Sequence, residues 1–291
     1  MVQSNVKKGL ILLFAATLFW AGNYICGRYL GPALPATLLN TIRWIFSAIL
    51  LWGLLKIRQQ KLPIFSKWKE FSVLGFLGIF AFSTLNYEGL KLVSASRAGM
   101  ITAIIPILIL ICTSLILKEK VRLLAWIGSA VSIAGIIILF QGKASNLVGD
   151  TSVIGDIMIL LSCVAWSLYT VQGKKYGDSA DPLTLTAGAA VYGSLFSAIS
   201  CIGNVNVDSI HMNSMAWICI VYVSTFASVA AYFAWNAGVK LIGASRAAPF
   251  INLLPIWTVI LGIVLLGEHV SILSFAGGLI ALTGAVLASL K

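Results

Sequence analysis

The sequence predicts an all-α integral membrane protein whose ten transmembrane helices form two inverted five-helix repeats. Three observations carry that prediction. The composition is 59% hydrophobic and 10% charged, with a mean hydropathy of +0.99, far outside the range of soluble domains. Apolar stretches of about 18 to 23 residues recur along the 291-residue chain, the length that crosses a hydrocarbon core of ~30 Å. The second half of the chain also repeats the first at a fixed spacing.

Bounded by charged, Gly or Pro punctuation, the spans fall at 9–27, 36–55, 71–91, 95–117, 123–140, 153–173, 183–202, 214–238, 245–266 and 272–290. Lys7 and Lys8 ahead of the first run look like the start of a signal peptide. The run continues through Trp20, Asn23 and Tyr24 without a small-x-small cleavage site, so it is kept as the first membrane helix. The connections between spans are short, leaving little chain for a soluble catalytic or nucleotide-binding domain. No GxxxxGK[ST] phosphate loop occurs, which excludes an ATP-driven pump in one chain.

A net charge of +11 would suggest a nucleic-acid partner in a soluble protein. Here most basic residues sit in short connections, where they act as topology signals and meet anionic lipid headgroups. Membrane lipid is therefore the expected partner and nucleic acid is not. Fifteen Lys and Arg residues fall on the N-terminal side and four, Arg28, Lys91, Arg97 and Lys143, on the other; Arg43 lies inside the second span. That bias places both termini and the Lys56–Lys69 connection in the cytoplasm, with Asp150 and Asp208 outside. The five cysteines, all within or at the edge of apolar runs, read as packing residues.

Sliding the chain by 149 residues puts Ala95-Ser96-Arg97-Ala98 on Ala244-Ser245-Arg246-Ala247 and Pro106 on Pro255. Glu119, Gly128 and Gly135 fall likewise on Glu268, Gly277 and Gly284. Nearer the start of each half a shift of 146 aligns Trp20, Gly27 and Arg28 with Trp166, Gly173 and Lys174. A duplicated five-span unit accounts for this, with repeats at 1–145 and 146–291. Five is odd, so the second copy enters the membrane from the opposite face.

The duplicated signature is "LKLVSASRAGMITAIIPILILICTSLILKEKVRLLAWIGSAVSIAGIIIL" and "VKLIGASRAAPFINLLPIWTVILGIVLLGEHVSILSFAGGLIALTGAVLA", preceded by a Trp in each repeat's first helix and Arg43 in the second span. Over essentially its whole length the chain resembles the drug/metabolite transporter superfamily, in its ten-helix EamA-like branch, and is similar to YddG-type amino-acid exporters. The resemblance implies a basket-like bundle whose two halves enclose a cavity open to one side at a time. There are two departures: Lys118 replaces the Gly usual before Glu119, and the second half has no Arg equivalent to Arg43.

Pro106 and Pro255 sit mid-span at one repeat position, where a proline removes a backbone hydrogen bond, and are expected to act as kinks in a gating element. Trp20, Asn23 and Tyr24 on the first span and Trp166 and Tyr169 on the sixth are candidate cavity walls. Asn86, Tyr87, Tyr232, Asn236 and Asn252 join them, because intramembrane amides and hydroxyls need partners or a water-filled space. The competing reading is interfacial aromatics and interhelical hydrogen bonds. Arg43 costs at least ~2.5 kcal/mol in lipid and needs a counter-charge or an aqueous cavity. Glu88, taken to lie at similar depth, is its candidate ion-pair partner, and locking the second helix or capturing a substrate carboxylate are both open roles for Arg43. Glu119 and Glu268 are expected to cap neighbouring helices.

An enzyme is not expected. The only histidines, His211 and His269, lie in connections, and HExxH, GxSxG and paired intramembrane Asp elements are missing, so neither a metal nor another cofactor is anticipated. The expected function is an inner-membrane exporter of small organic metabolites in a bacterium, acting by alternating access and as a monomer. Family resemblance and the aromatic candidates point to amino acids, aromatic ones included. A multidrug or cation exporter is the alternative within the class, and a membrane enzyme or nontransporting sensor the alternative outside it. Transport driven by the substrate's own gradient stays open beside proton coupling, since carboxylates within the spans are few and Glu88 is taken as an ion-pair partner.

Overall fold

The computed structural model describes residues 2–30, 33–90, 92–93, 95–141, 152–177, 180–202, 210–266 and 271–290. In lipid every backbone N–H and C=O of a spanning segment must find its partner within the protein, and the chain answers with helices. The first repeat comprises α1 (Val2–Leu30), α2 (Ala36–Ile57), α3 (Trp68–Leu90), a fourth crossing in two pieces, α4a (Ala95–Thr102) and α4b (Ile105–Leu117), and α5 (Leu123–Gln141). The second comprises α6 (Val153–Gly177), α7 (Pro182–Cys201), α8 (Ser214–Ile242), α9 and α10 (Ile272–Ser289). Within α9 the chain runs through Ala244–Ala247, a 3-10 stretch at Ala248–Asn252, and a final helix at Leu253–Leu266. Among the described residues nine helices are long and apolar enough to cross a membrane, and α4b is shorter because α4a shares its crossing. Ten crossings return the chain to its starting side, so Val2 and Leu290 share one face, the N-terminal face.

The helix ends follow local chemistry. Asp181 accepts from the Leu183 and Thr184 backbone N–H groups at 2.9 and 3.4 Å, with Pro182 behind it, and so starts α7. Asn213 caps α8 through the Ala216 N–H at 2.8 Å, and Ser271 caps α10 through the Ser274 N–H at 3.1 Å. Polar residues carry α1 and α3 beyond the spans expected at 9–27 and 71–91, because a helix does not stop where the apolar layer does.

The repeat is visible in three dimensions. The seam between α5 and α10 is antiparallel and lined by small residues: Gly128 meets Gly284 and Ala288, while Gly135 meets Gly277 and Ala281. Since Gly128 corresponds to Gly277 and Gly135 to Gly284, the same contact is made twice, as a two-fold axis requires. A Cβ on Gly128 would lie 2.6 Å from the Gly284 carbonyl oxygen, so only glycine permits this approach. A second pair of crossings obeys the same rule. Gly9 of α1 packs on Gly238 and Ile242 of α8, and Gly155 of α6 on Gly89 of α3 and on Leu92 and Val93 just beyond it. Both α3 and α8 also widen into a π-helical stretch one repeat apart, at Gly75–Ala81 and Thr225–Ala230. The expected repeat boundary at 145/146 lies outside the described residues.

Pro106 and Pro255 correct the expectation of mid-helix kinks. Pro106 is the second residue of α4b, after a turn at residues 103–104, and Pro255 lies in the first turn of Leu253–Leu266, after the 3-10 stretch. A proline has no N–H to give and its ring crowds the preceding turn, so the α-helix ends before it and begins again around it. The fourth crossing is broken and the ninth tightened, rather than bent.

Candidate functional site

A cavity of about 1250 Å³ lies between the two repeats. Its upper walls come from the ends of α1, α3 and α5 and the start of α2, represented by Leu30, Leu90, Phe140 and Ala36, all remote from the N-terminal face. It therefore opens on the face opposite the termini. Asn23 on α1 and Asn86, Tyr87 and Glu88 on α3 line it near that mouth. Asn252 and Pro255 line it from the interrupted part of α9.

The floor is aromatic. Trp20 and Trp166 meet edge to face with ring centroids 5.1 Å apart, and Tyr232 stands 5.6 Å from each. Trp44 packs on Tyr232 at 4.7 Å, and Trp235, fully buried, lies 5.5 Å from Trp20. Trp20 Nε1 donates to the Ala227 carbonyl at 3.0 Å, and the Tyr232 hydroxyl to the Gly78 carbonyl at 2.8 Å. Ala227 and Gly78 are repeat counterparts, and both belong to the π-helical stretches, whose widened turns free carbonyls for outside donors. By symmetry Trp166 would donate to Gly78, but Tyr232 already occupies that oxygen. Among the described residues Trp166 Nε1 has no partner.

Arg43 lies beside the floor, 6% exposed and lining the cavity. Its Nε donates to Ser228 Oγ at 2.6 Å, and its guanidinium carbon is 5.2 Å from the Trp44 ring centroid. Ser228 passes its own proton to the Val223 carbonyl at 2.8 Å, which orients its oxygen toward Arg43. Among the described residues Arg43 forms no ion pair, which corrects the expected pairing with Glu88. The reason is depth: α3 ends at Leu90, so Glu88 is in its last turn, whereas Arg43 is about 10 Å along α2 from the same face. Both still line the one cavity.

Beneath the floor a hydrogen-bonded plug closes the N-terminal face. Asn236 Nδ2 donates to the Tyr169 hydroxyl at 2.8 Å and to Thr186 Oγ1 at 3.0 Å, and Trp235 Nε1 donates to Thr170 Oγ1 at 3.2 Å. These bonds tie α6, α7 and α8 together. Tyr169 and Asn236, expected as cavity walls, are thus part of the closure and do not line the cavity. Each lies one turn past the floor residue of its helix, Trp166 or Tyr232.

Asn252 makes its bonds at the centre of the molecule, to Ser132 Oγ at 3.1 Å and to the Ala103 carbonyl at 3.5 Å, at the break in the fourth crossing. The side chain of Tyr24 lies outside the described residues, as do Glu268 and His269. Glu119 is exposed between α4b and α5. Among the described residues no three His, Cys, Asp or Glu side chains converge to hold a metal. Trp44, Trp235 and Ser228 were not singled out in the sequence. Trp44 follows Arg43 and Trp235 precedes Asn236, the polar neighbours that drew the reading instead, and Ser228 is marked only by lying one repeat from the buried Ile79.

An aromatic floor, a cation with unused donors and a rim of amides can hold an organic molecule with an apolar body and an anionic end. The chain matches the EamA-like transporter family model twice, over residues 7–141 and 153–290. It is 26% identical over 281 residues to the uncharacterized transporter YyaM of Bacillus subtilis, covering 95% of this chain and 90% of that one. It is also 26% identical over 266 residues to the uncharacterized inner membrane transporter YedA of Escherichia coli K12, covering 89% and 83%. A solved crystal structure superimposes with a TM-score of 0.83 at 19% identity, over 97% of this chain and 96% of the other, which shows the shared fold. With both repeats matched and nine membrane-length apolar helices among the described residues, this multi-pass membrane protein belongs to the EamA-like transporter family.

Proposed function

We propose that the protein exports small organic metabolites across a bacterial inner membrane by alternating access, with amino acids of apolar or aromatic side chain as its substrates. The observation that carries this reading is one cavity, open at one face and sealed at the other, with Arg43 set above an aromatic floor. Both termini then lie in the cytoplasm, and the cavity faces outward. Nε is the only guanidinium nitrogen of Arg43 with a hydrogen bond among the described residues, so the Nη edge is left for a carboxylate, which it can take in a two-pronged grip. Trp20, Trp166 and Tyr232 would receive the side chain. The names of the relatives support transport and leave the substrate unnamed.

Purified protein in liposomes loaded with radiolabelled phenylalanine or leucine tests this. Saturable efflux down the gradient is expected, with Arg43→Gln raising the half-saturating concentration. No flux for any of a panel of amino acids, drugs and sugar derivatives would overturn it.

A further inference from the structure

The plug on the N-terminal face has a counterpart at the opposite face. Shifts of 146 for α1, α2, α6 and α7, and of 149 for α3 and α8, map Tyr169 onto Asn23, Thr186 onto Asn40 and Asn236 onto Tyr87. The register is spatial as well as sequential. It relates the Gly9–Gly238 crossing to Gly155–Gly89, and it relates the Ser47 hydroxyl on the Ser224 carbonyl at 2.9 Å to the close approach of Gly193 and Gly75.

At the plug an amide on α8 bonds a phenol on α6. At the counterpart site the same two residue types stand exchanged, a phenol on α3 and an amide on α1. Asn23 and Tyr87 both line the open cavity near its mouth. The third member supplies an independent sign. Thr186 Oγ1 accepts from Asn236 at 3.0 Å; its counterpart Asn40 is 3% exposed, and its Oδ1 has no hydrogen-bond partner among the described residues. The Nδ2 of Asn40 is already used, on Ser197 Oγ at 2.9 Å and the Ile79 carbonyl at 3.4 Å, so the unfilled position is an acceptor. A buried oxygen without a donor is unfavourable, and a donor arriving in another conformation would relieve it.

We infer that Asn23, Tyr87 and Asn40 form the second gate. When α6 and α8 part to open the N-terminal face, α1 and α3 close the other, Asn23 Nδ2 donates to the Tyr87 hydroxyl, and Tyr87 donates to Asn40 Oδ1. A phenol both donates and accepts, so one Tyr joins the two amides into a chain and fills the vacant acceptor of Asn40. This rests on the alternating-access reading above.

The test uses full-length protein with its five cysteines replaced by serine. Asn23→Cys with Tyr87→Cys, and separately Tyr169→Cys with Asn236→Cys, are treated with a short bis-methanethiosulfonate cross-linker. Each pair should cross-link, and in the four-cysteine protein intact mass should show one cross-link or the other in each molecule, never both. Absence of the 23–87 cross-link, or both cross-links in one molecule, overturns the gate. Because cross-linking needs no substrate, flux without a 23–87 cross-link removes the gate and keeps transport. Exclusive cross-links without flux keep the gate and remove transport. Should the cysteine pair fail to reach the membrane, the exchange Asn23→Tyr with Tyr87→Asn decides: flux at least threefold above either single substitution is expected, and flux no better than theirs overturns the pairing.

Discussion

Loosening the plug should open the N-terminal face by an amount set by its hydrogen bonds. Asn236→Ala removes two, to Tyr169 and Thr186. Interhelical hydrogen bonds within membranes average about 0.6 kcal/mol, so the two together hold about 1.2 kcal/mol of the closed state. At about 1.4 kcal/mol per tenfold, the open population rises roughly eightfold. Gly173, packed against Asn236, offers a reporter within the plug. It is buried, and a Cβ there would meet Asn236 Oδ1 at 3.4 Å and Leu74 at 4.0 Å, ordinary contacts for the Cβ of Gly173→Cys. In vesicles exposing the N-terminal face, the rate at which an impermeant maleimide labels this cysteine reports the open fraction. Tyr169→Phe and Thr186→Val each remove one bond and should raise the rate about threefold, and Asn236→Ala about eightfold. Equal rates in all four proteins would refute the claim that these bonds hold the face shut.

Other outcomes follow from the same structure. Gly128→Leu forces a side chain into the Gly284 backbone and should destabilise the α5–α10 seam by about 1–3 kcal/mol, read as a lower melting temperature in detergent, whereas a change at exposed Leu279 should not. Trp20→Phe keeps a ring on the floor but removes the bond to Ala227, a loss of about 1 kcal/mol; flux should fall while membrane abundance, measured by quantitative blot, stays near normal. Arg43→Lys keeps the charge and gives up the planar two-pronged grip, so affinity for carboxylates measured by flux competition should drop, and drop further in Arg43→Gln. Single-cysteine labelling in whole cells should find Lys61 inaccessible from outside and Asn86 accessible.

The crossings and their duplication were legible because each is a one-dimensional signal. A spanning helix needs an apolar run, and a copied helix keeps its small residues where two backbones touch, as Gly128, Gly135, Gly277 and Gly284 do. Trp20 and Trp166 were legible as a pair because duplication puts both beside the axis between the halves. What the sequence did not convey was state. Tyr169 and Asn236 have the same credentials as Asn23 and Tyr87, polar groups at helical spacing on an inward face, and only the conformation decides which set lines a cavity and which closes one. Depth was misjudged for Arg43 and Glu88, because the seven residues from Ala36 to Arg43 set that side chain about 10 Å inside the face near which Glu88 lies. The breaks at Pro106 and Pro255 were marked by the prolines, but their form depends on how the freed backbone groups are satisfied by neighbours.

Ala103 and Asn252 are counterparts, 149 residues apart, and they touch. Only residues on a two-fold axis can meet their own images, so the axis passes between them. Were the two repeats identical in sequence, turning the molecule over would convert the outward-facing form into the inward-facing one, and the two would be of equal energy in a symmetric membrane. Every unlike pair of counterparts is thus a weight on one pan of a balance. At the axis the amide comes from the second repeat alone, at the floor Tyr232 faces Ser83, and beside it Arg43 faces Ala189. The resting ratio of the two forms is written in such differences, and substitutions that make the halves more alike should move that ratio toward one.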